Sequence, residues 1–188
     1  MASKYIIIGG SAGSFQTVLQ ILNNLPKDFI HPIFLCMHRL KHVRGGFVEA
    51  LSIKSKLKVI EPEDKSPIFG KKVYLAPANY HMYLEVSNTI ALSTEEAVNH
   101  SRPSIDITFA SAAYAFQEKV VAILLSGANK DGAAGLKEVQ YYGGTVIVQD
   151  PKEASVPVMP EAALKEVQKP DFIFNTEQII DYLNSINY

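Results

Sequence analysis

The sequence predicts an α/β fold, a doubly wound, mostly parallel sheet with helices on both faces and an antiparallel hairpin region at one edge. Three observations predict it. Short apolar runs rich in β-branched residues, such as Tyr5-Ile6-Ile7-Ile8, Pro32 to Met37 and Val120 to Leu125, read as buried parallel strands. Between such runs lie stretches with apolar residues at helical spacing, and this alternation implies right-handed crossovers. A glycine-rich turn, Gly9-Gly10-Ser11-Ala12-Gly13, carries the first strand directly into the first helix.

Taken in order, strand one passes through that turn into a helix with Phe15, Val18, Leu19 and Leu22 on its apolar stripe. Ser14 stands where a capping side chain is expected, and Leu25-Pro26 ends the pattern. Strand two ends in His38. A basic stretch from Arg39 to Arg44 and the pair Gly45-Gly46 precede a helix from Phe47 to about Ser55, and Leu57 to Ile60 reads as strand three. From Glu61 to Ser93 the character changes. Runs at 71–76, 81–86 and 89–92, separated by Pro77-Ala78-Asn79 and Ser87-Asn88, read as antiparallel hairpins. Pro103 sits where a helix starts, with Ile105, Phe109, Ala112, Ala113 and Phe116 as its stripe. After the strand at 120–125, Asp131 opens a helix that closes at Gly143-Gly144. Thr145 to Gln149 and Phe172 to Phe174 supply two more strands, and a helix from about Thr176 to Asn187 completes the fold.

With 188 residues, 47% of them apolar, the chain suffices for one domain spanning 1–188 with a sizeable core. A net charge of −1 gives no footprint for nucleic acid. The apolar runs fall far short of the roughly 20 residues that span a bilayer, so no membrane insertion is expected. Met1-Ala2-Ser3-Lys4 leads straight into strand one, leaving no room for a signal peptide, and the expected compartment is cytoplasmic. Cys36, the single cysteine, lies in an apolar strand and reads as a buried thiol. His31, His38, His42, His81 and His100 form no metalloprotease motif and have no cysteine cluster beside them, so neither metal nor cofactor is expected.

The chemistry concentrates at strand ends. Ser11 stands in a Gly-x-Ser-x-Gly turn, which lifts a hydroxyl from the backbone and surrounds it with amide donors. The turn alone fits a nucleophile or an anion cradle equally well. The dinucleotide spacing Gly-x-Gly-x-x-Gly is lacking, however, and strand two ends in His38 where a ribose-binding carboxylate belongs. Asp131 follows the strand at 120–125 across a short loop. Serine, imidazole and carboxylate match nucleophile, base and orienting acid, in a chain order unlike that of the α/β-hydrolases. Taken singly, His38 also reads as a satisfied histidine at a strand end, and Asp131 as a helix N-cap. For an oxyanion hole the candidates are the Ala12 and Gly13 turn and the loop with Ala128 and Asn129.

Ile8 to Gly13, the strand ending in His38, Leu75-Ala76-Pro77 with His81-Met82, Arg102-Pro103-Ser104-Ile105-Asp106, Ser126-Gly127 through Asp131 to Gly135, and Val158-Met159-Pro160-Glu161-Ala162-Ala163 occur in that order. Over nearly its whole length the chain resembles the catalytic domain of the chemotaxis protein-glutamate methylesterases, the CheB family. The resemblance implies a serine hydrolase with Ser11 as nucleophile, His38 as base and Asp131 as orienting acid. It implies methylated chemotaxis receptors as partners, demethylated at glutamate methyl esters, with deamidation of glutamines as a related activity. Against the family pattern, Ala12 lacks the hydroxyl common after the nucleophile, Ala128 and Asn129 replace a Met-Gly pair, and Arg39-Leu40 replaces Met-Pro after the histidine. These departures leave the triad intact and bear on the substrate. The receiver domain usual in the family is not expected within 1–188. The other readings are an esterase or amidase acting on a different protein or small molecule, and a non-catalytic signalling module of the same fold. Arg102 is a candidate substrate contact, and the basic rim from Arg39 to Arg44 a candidate dock for a separate regulatory partner.

Overall fold

The computed structural model describes residues 3–38 and 46–187. In chain order its elements are β1 (Tyr5–Gly10), α1 (Phe15–Asn24), β2 (Ile33–Met37), α2 (Phe47–Lys54), β3 (Lys58–Ile60), β4 (Ser66–Pro67), β5 (Lys72–Leu75), β6 (His81–Leu84) and β7 (Thr89–Ser93). There follow α3 (Ile105–Phe116), β8 (Val120–Leu124), α4 (Ala133–Tyr141), β9 (Thr145–Gln149), α5 (Val158–Val167), β10 (Phe172–Phe174) and α6 (Thr176–Ser185). Seven strands form one sheet in the order β10-β9-β8-β1-β2-β5-β3, every neighbouring pair parallel.

Strand periodicity sorts the core. On β1, Ile6 and Ile8 face α1 and α6, packing with Val18, Ile21, Leu22, Ile179 and Leu183, while Ile7 joins Phe109, Leu136 and Met159 from α3, α4 and α5. Covered on both faces, β1, β2 and β8 are almost wholly buried, which is why their sequences run apolar without alternation. The chain starts at the sheet's centre, builds outward through β2, and returns to the other side of β1 with β8. The carboxyl ends of β1, β2 and β8 therefore border the point where the winding reverses, the place where such sheets open a crevice.

One local expectation changes. The run at 71–76 does not form a hairpin: Lys72–Leu75 enters the parallel sheet between β2 and β3, with Val73 opposite Ile33 and Val59. Val73, Tyr74 and Leu75 are all buried, which only a strand covered on both faces permits. The antiparallel region is a separate three-stranded sheet, β4-β7-β6, held to α3 by Thr108 Oγ1 on the Met82 carbonyl and by the Leu84 amide on Ser111 Oγ. The segment at Val158 is a helix despite Pro160, because the proline falls in its first turn, where no intrahelical N–H is required. Among the described residues, no helix is long and apolar enough to cross a membrane.

Candidate active site

The turn after β1 is tied down from three sides. The Ser11 amide donates to the Ser126 carbonyl at 2.9 Å, so the ends of β1 and β8 are stitched together. The Ser11 carbonyl accepts both the amide and the hydroxyl of Ser14, at 3.1 and 2.7 Å. Ser14 thus occupies the N-cap position of α1 without capping it; its hydroxyl is spent on closing the turn. Gly13 has φ +79°, and a Cβ there would lie 2.6 Å from the Cβ of Ser155, so glycine is required on both counts. Ser126 Oγ completes the clamp by donating to the Ala12 carbonyl at 2.7 Å while accepting the Val156 amide at 2.9 Å.

His38 lies beside Ser11 because Gly10 pairs with Met37 in the β1–β2 register and the His38 amide donates to the Gly10 carbonyl at 3.1 Å. Its Nε2 is 2.7 Å from Oδ2 of Asp131, whose side chain is fully buried. An ionised carboxylate only accepts, so Nε2 carries a proton, and Nδ1 is the nitrogen that holds the lone pair in the neutral imidazole. Ser101 Oγ is 3.4 Å from that Nδ1. Among the described residues the Ser11 hydroxyl has no hydrogen-bond partner; nucleophile-to-base contacts in unliganded sites are often loose and tighten with substrate.

Asp131 does not cap the helix it precedes, as a plain N-cap reading required. Gly132 holds the N-cap position of α4, and the Asp131 carboxylate reaches across to α3. Oδ2 accepts the Ile105 amide at 2.7 Å; Oδ1 accepts Ser104 Oγ at 3.0 Å and the Asp106 amide at 3.1 Å. Burial pushes this carboxyl up, but the His38 bond and the two amides outweigh it and hold it below the usual carboxylate range. His81, by contrast, is a satisfied core histidine: Nδ1 accepts the Ser104 amide at 3.2 Å and Nε2 donates to the Glu96 carbonyl at 2.9 Å. Among the described residues, no three His, Cys, Asp or Glu side chains gather as a metal site.

Of the oxyanion candidates, Ala12, Gly13 and Ala128 are exposed and Asn129 is half-buried. Among the described residues, the amides of all four meet no acceptor. The Asn129 side chain instead accepts the Asp131 amide at 3.0 Å, which fixes the turn into α4. Arg102 is half-buried and lines a cleft of about 340 Å³ with Glu61, Thr94 and the Pro77 to Tyr80 loop. Its Nη1 donates to the Thr94 and Glu95 carbonyls at 2.7 and 2.9 Å, and its Nε is buried without a partner among the described residues. The Pro77 to Tyr80 loop of this cleft follows β5, which pairs in parallel with β2, the strand that leads into His38. The rim from Arg39 to Arg44 and the Arg39-Leu40 departure lie outside the described residues.

Ser101, Ser104 and Asn99 were not foreseen. Ser104 lies in a motif noticed for its proline and aspartate, and its position after Pro103 and before an apolar stripe is a cap signal. Ser101 and Asn99 belong to an irregular loop where no periodicity marks them.

A family model described as CheB methylesterase matches residues 6–183. A Leptospira interrogans protein is 38% identical over 181 residues, covering 96% of this chain and 93% of its own length. A Thermotoga maritima protein-glutamate methylesterase/protein-glutamine glutaminase is 34% identical over 173 residues, 88% of this chain and 49% of that protein. The crystal structure of the Thermotoga maritima CheB methylesterase catalytic domain superposes with a TM-score of 0.93 at 31% identity, covering 99% of this chain and all of that one. This chain belongs to the CheB methylesterase family of ester-hydrolysing enzymes.

Proposed function

We propose that the chain demethylates glutamate methyl esters on chemotaxis receptors, and deamidates receptor glutamines by the same acyl transfer, with Ser11, His38 and Asp131 as its triad. The observation that carries this reading is the 2.7 Å bond between His38 Nε2 and buried Asp131, next to a serine on a glycine-rich turn. Because Asp131 takes the Nε2 side, Nδ1 is the base. It removes the Ser11 proton as Oγ attacks the ester carbonyl, and the imidazolium that forms is stabilised by Asp131. The tetrahedral oxyanion draws on the unpaired amides of Ala12 or Gly13 and of the Ala128–Asn129 loop, each such donor being worth about 3 kcal/mol in the transition state. Nδ1 then returns the proton to the leaving methoxide, and methanol departs. Water, deprotonated by the same nitrogen, hydrolyses the acyl-enzyme to the carboxylate. With a glutamine substrate the leaving group is ammonia.

A protein substrate methylated at glutamate is supported by the names of relatives that match most of this chain. A cytoplasmic site of action goes with it. The decisive experiment is methanol release from methylated receptors of the source organism. Ser11→Ala should reduce it by a factor on the order of 10⁴–10⁶ without unfolding the protein, and should abolish fluorophosphonate labelling. Activity within about tenfold of the parent removes Ser11 as nucleophile.

Arg102 is proposed as the substrate contact. With Nη1 committed to two carbonyls and Nε buried, Nη2 is the guanidinium donor left for a carboxylate entering the cleft that Arg102 lines. Arg102→Ala should raise KM for methylated receptor and spare a small neutral ester. An equal effect on both substrates, or none, rejects the contact.

A further inference from the structure

Two sequence motifs, Ser104-Ile105-Asp106 at the start of α3 and Asp131 to Gly135 at the start of α4, form one device in space. Asp131 precedes α4, yet its carboxylate accepts the α3 amides of Ile105 and Asp106, at 2.7 and 3.1 Å. Asp106 lies in the first turn of α3, yet its Oδ1 accepts the amides of Gly132 and Gly135, at 2.9 and 2.7 Å. Each helix N-terminus is thus capped by the other's carboxylate, which satisfies otherwise unpaired N–H groups and complements the positive end of the helix dipole. Asn99 spans the pair, its Nδ2 at 2.8 Å from Asp106 Oδ2 and 3.4 Å from Asp131 Oδ1. The helices cross so closely that a Cβ on Gly135 would lie 2.8 Å from both the Asp106 carbonyl oxygen and the Phe109 Cβ.

We propose that Asp106 is the positioning residue of the acid–base pair: by holding the Gly132 and Gly135 amides, it fixes Asp131 where Oδ2 meets His38 Nε2. The inference rests on the reading of His38 and Asp131 as the pair that activates Ser11. Asp106 is bonded to neither His38 nor Ser11 among the described residues, so it acts through the N-terminus of α4. Its place is maintained against opposition. Burial pushes its carboxyl up, and the Asp131 charge adds to this, while the two glycine amides and Asn99 pull it back. A shift of the α4 N-terminus by about 1 Å would misalign the Asp131–His38 bond, and misplacement on that scale costs up to roughly 10²-fold in rate.

The test uses a small neutral methyl ester, with folding followed by circular dichroism and the His38 Nε2 proton by NMR. Asp106→Ala should lower kcat about tenfold or more, leave KM within about twofold, and weaken the downfield imidazole proton signal. Asp106→Asn offers an oxygen to the same two amides and should keep kcat within about threefold of the parent. Should the alanine variant fail to fold, Asp106→Glu decides: it keeps the charge, moves the acceptor by one methylene, and should lower kcat with the same split. Parent-like kcat in the folded alanine variant, or in the glutamate variant standing in for it, overturns the proposal. So does a loss in Asp106→Asn equal to that in Asp106→Ala, or a loss that falls on KM. Ser11→Ala assayed alongside keeps the two readings apart, since turnover surviving that change breaks the triad and leaves Asp106 a helix cap alone.

Discussion

Asp131 is where single-residue chemistry is most demanding, because one carboxylate serves His38 and the first turn of α3 together. Asp131→Asn keeps the size and can keep part of the capping, but an amide presents a donor where Nε2 also donates. Either the bond is lost or the imidazole turns to its other tautomer, which puts the proton on Nδ1, the nitrogen proposed as the base. Methanol release should fall by about 10⁴, close to the effect of His38→Ala. A folded Asp131→Asn variant with parent turnover would leave Asp131 with capping as its whole task. Since the His38 bond and the two amides hold the Asp131 carboxyl below the usual range, Asp131 should stay ionised through mild acid, and activity lost there should not trace to its protonation. The three residues were legible because each follows an apolar strand at a sheet's carboxyl end. Their supports were not: Ser101 and Asn99 sit in a loop that folds back from 93 residues into the chain, where tertiary contact alone assigns them a partner.

At the scale of elements, period and composition identified most strands and helices but not every neighbour. Lys72–Leu75 has the length and flanks of a hairpin strand, and four residues are too few for alternation to separate a one-faced strand from a two-faced one; its place between β2 and β3 is decided by burial. The connection between the ends of β1 and β8 was equally invisible, since a serine in a loop has no sequence signature for the carbonyl it will meet. Ser126 Oγ joins Ala12 in the nucleophile turn to Val156 ahead of α5. Ser126→Ala should therefore lower stability by about 1 kcal/mol, through the lost hydrogen bonds to the Ala12 carbonyl and the Val156 amide. Because the turn it clamps carries Ser11, kcat should fall as well, with labelling of Ser11 by a fluorophosphonate slowed in proportion. A chemical melt and a labelling time course check the two effects separately, and loss of stability with unchanged labelling would show that the turn holds its shape without the clamp.

For the molecule as a whole, the winding reversal at β1 and β8 brings together residues about 90 or more positions apart, so the site exists only when the sheet and both helical layers are assembled. Its ionisation should then be coupled to folding, and the two carboxyls of the helix exchange act in opposite directions. Asp106 is raised when folded, by burial first and then by the Asp131 charge, so its ionised form is a penalty at neutral pH that is relieved as pH falls through its raised value. Asp131 is lowered when folded, so it contributes stability above the unfolded carboxylate value of about 3.9, and that contribution disappears as pH drops through its depressed folded value. Urea melts taken from about pH 6 down to about pH 3 should show the two in sequence. Asp106→Asn should remove the early relief, making the upper part of the profile fall more steeply with acid than the parent's. Asp131→Asn should remove the late loss and flatten the lower part; it should also weaken the early relief, since Asp106 is then pushed up by burial without the neighbouring charge. If both variants follow the parent's pH profile throughout, the carboxyl pair does not couple ionisation to folding.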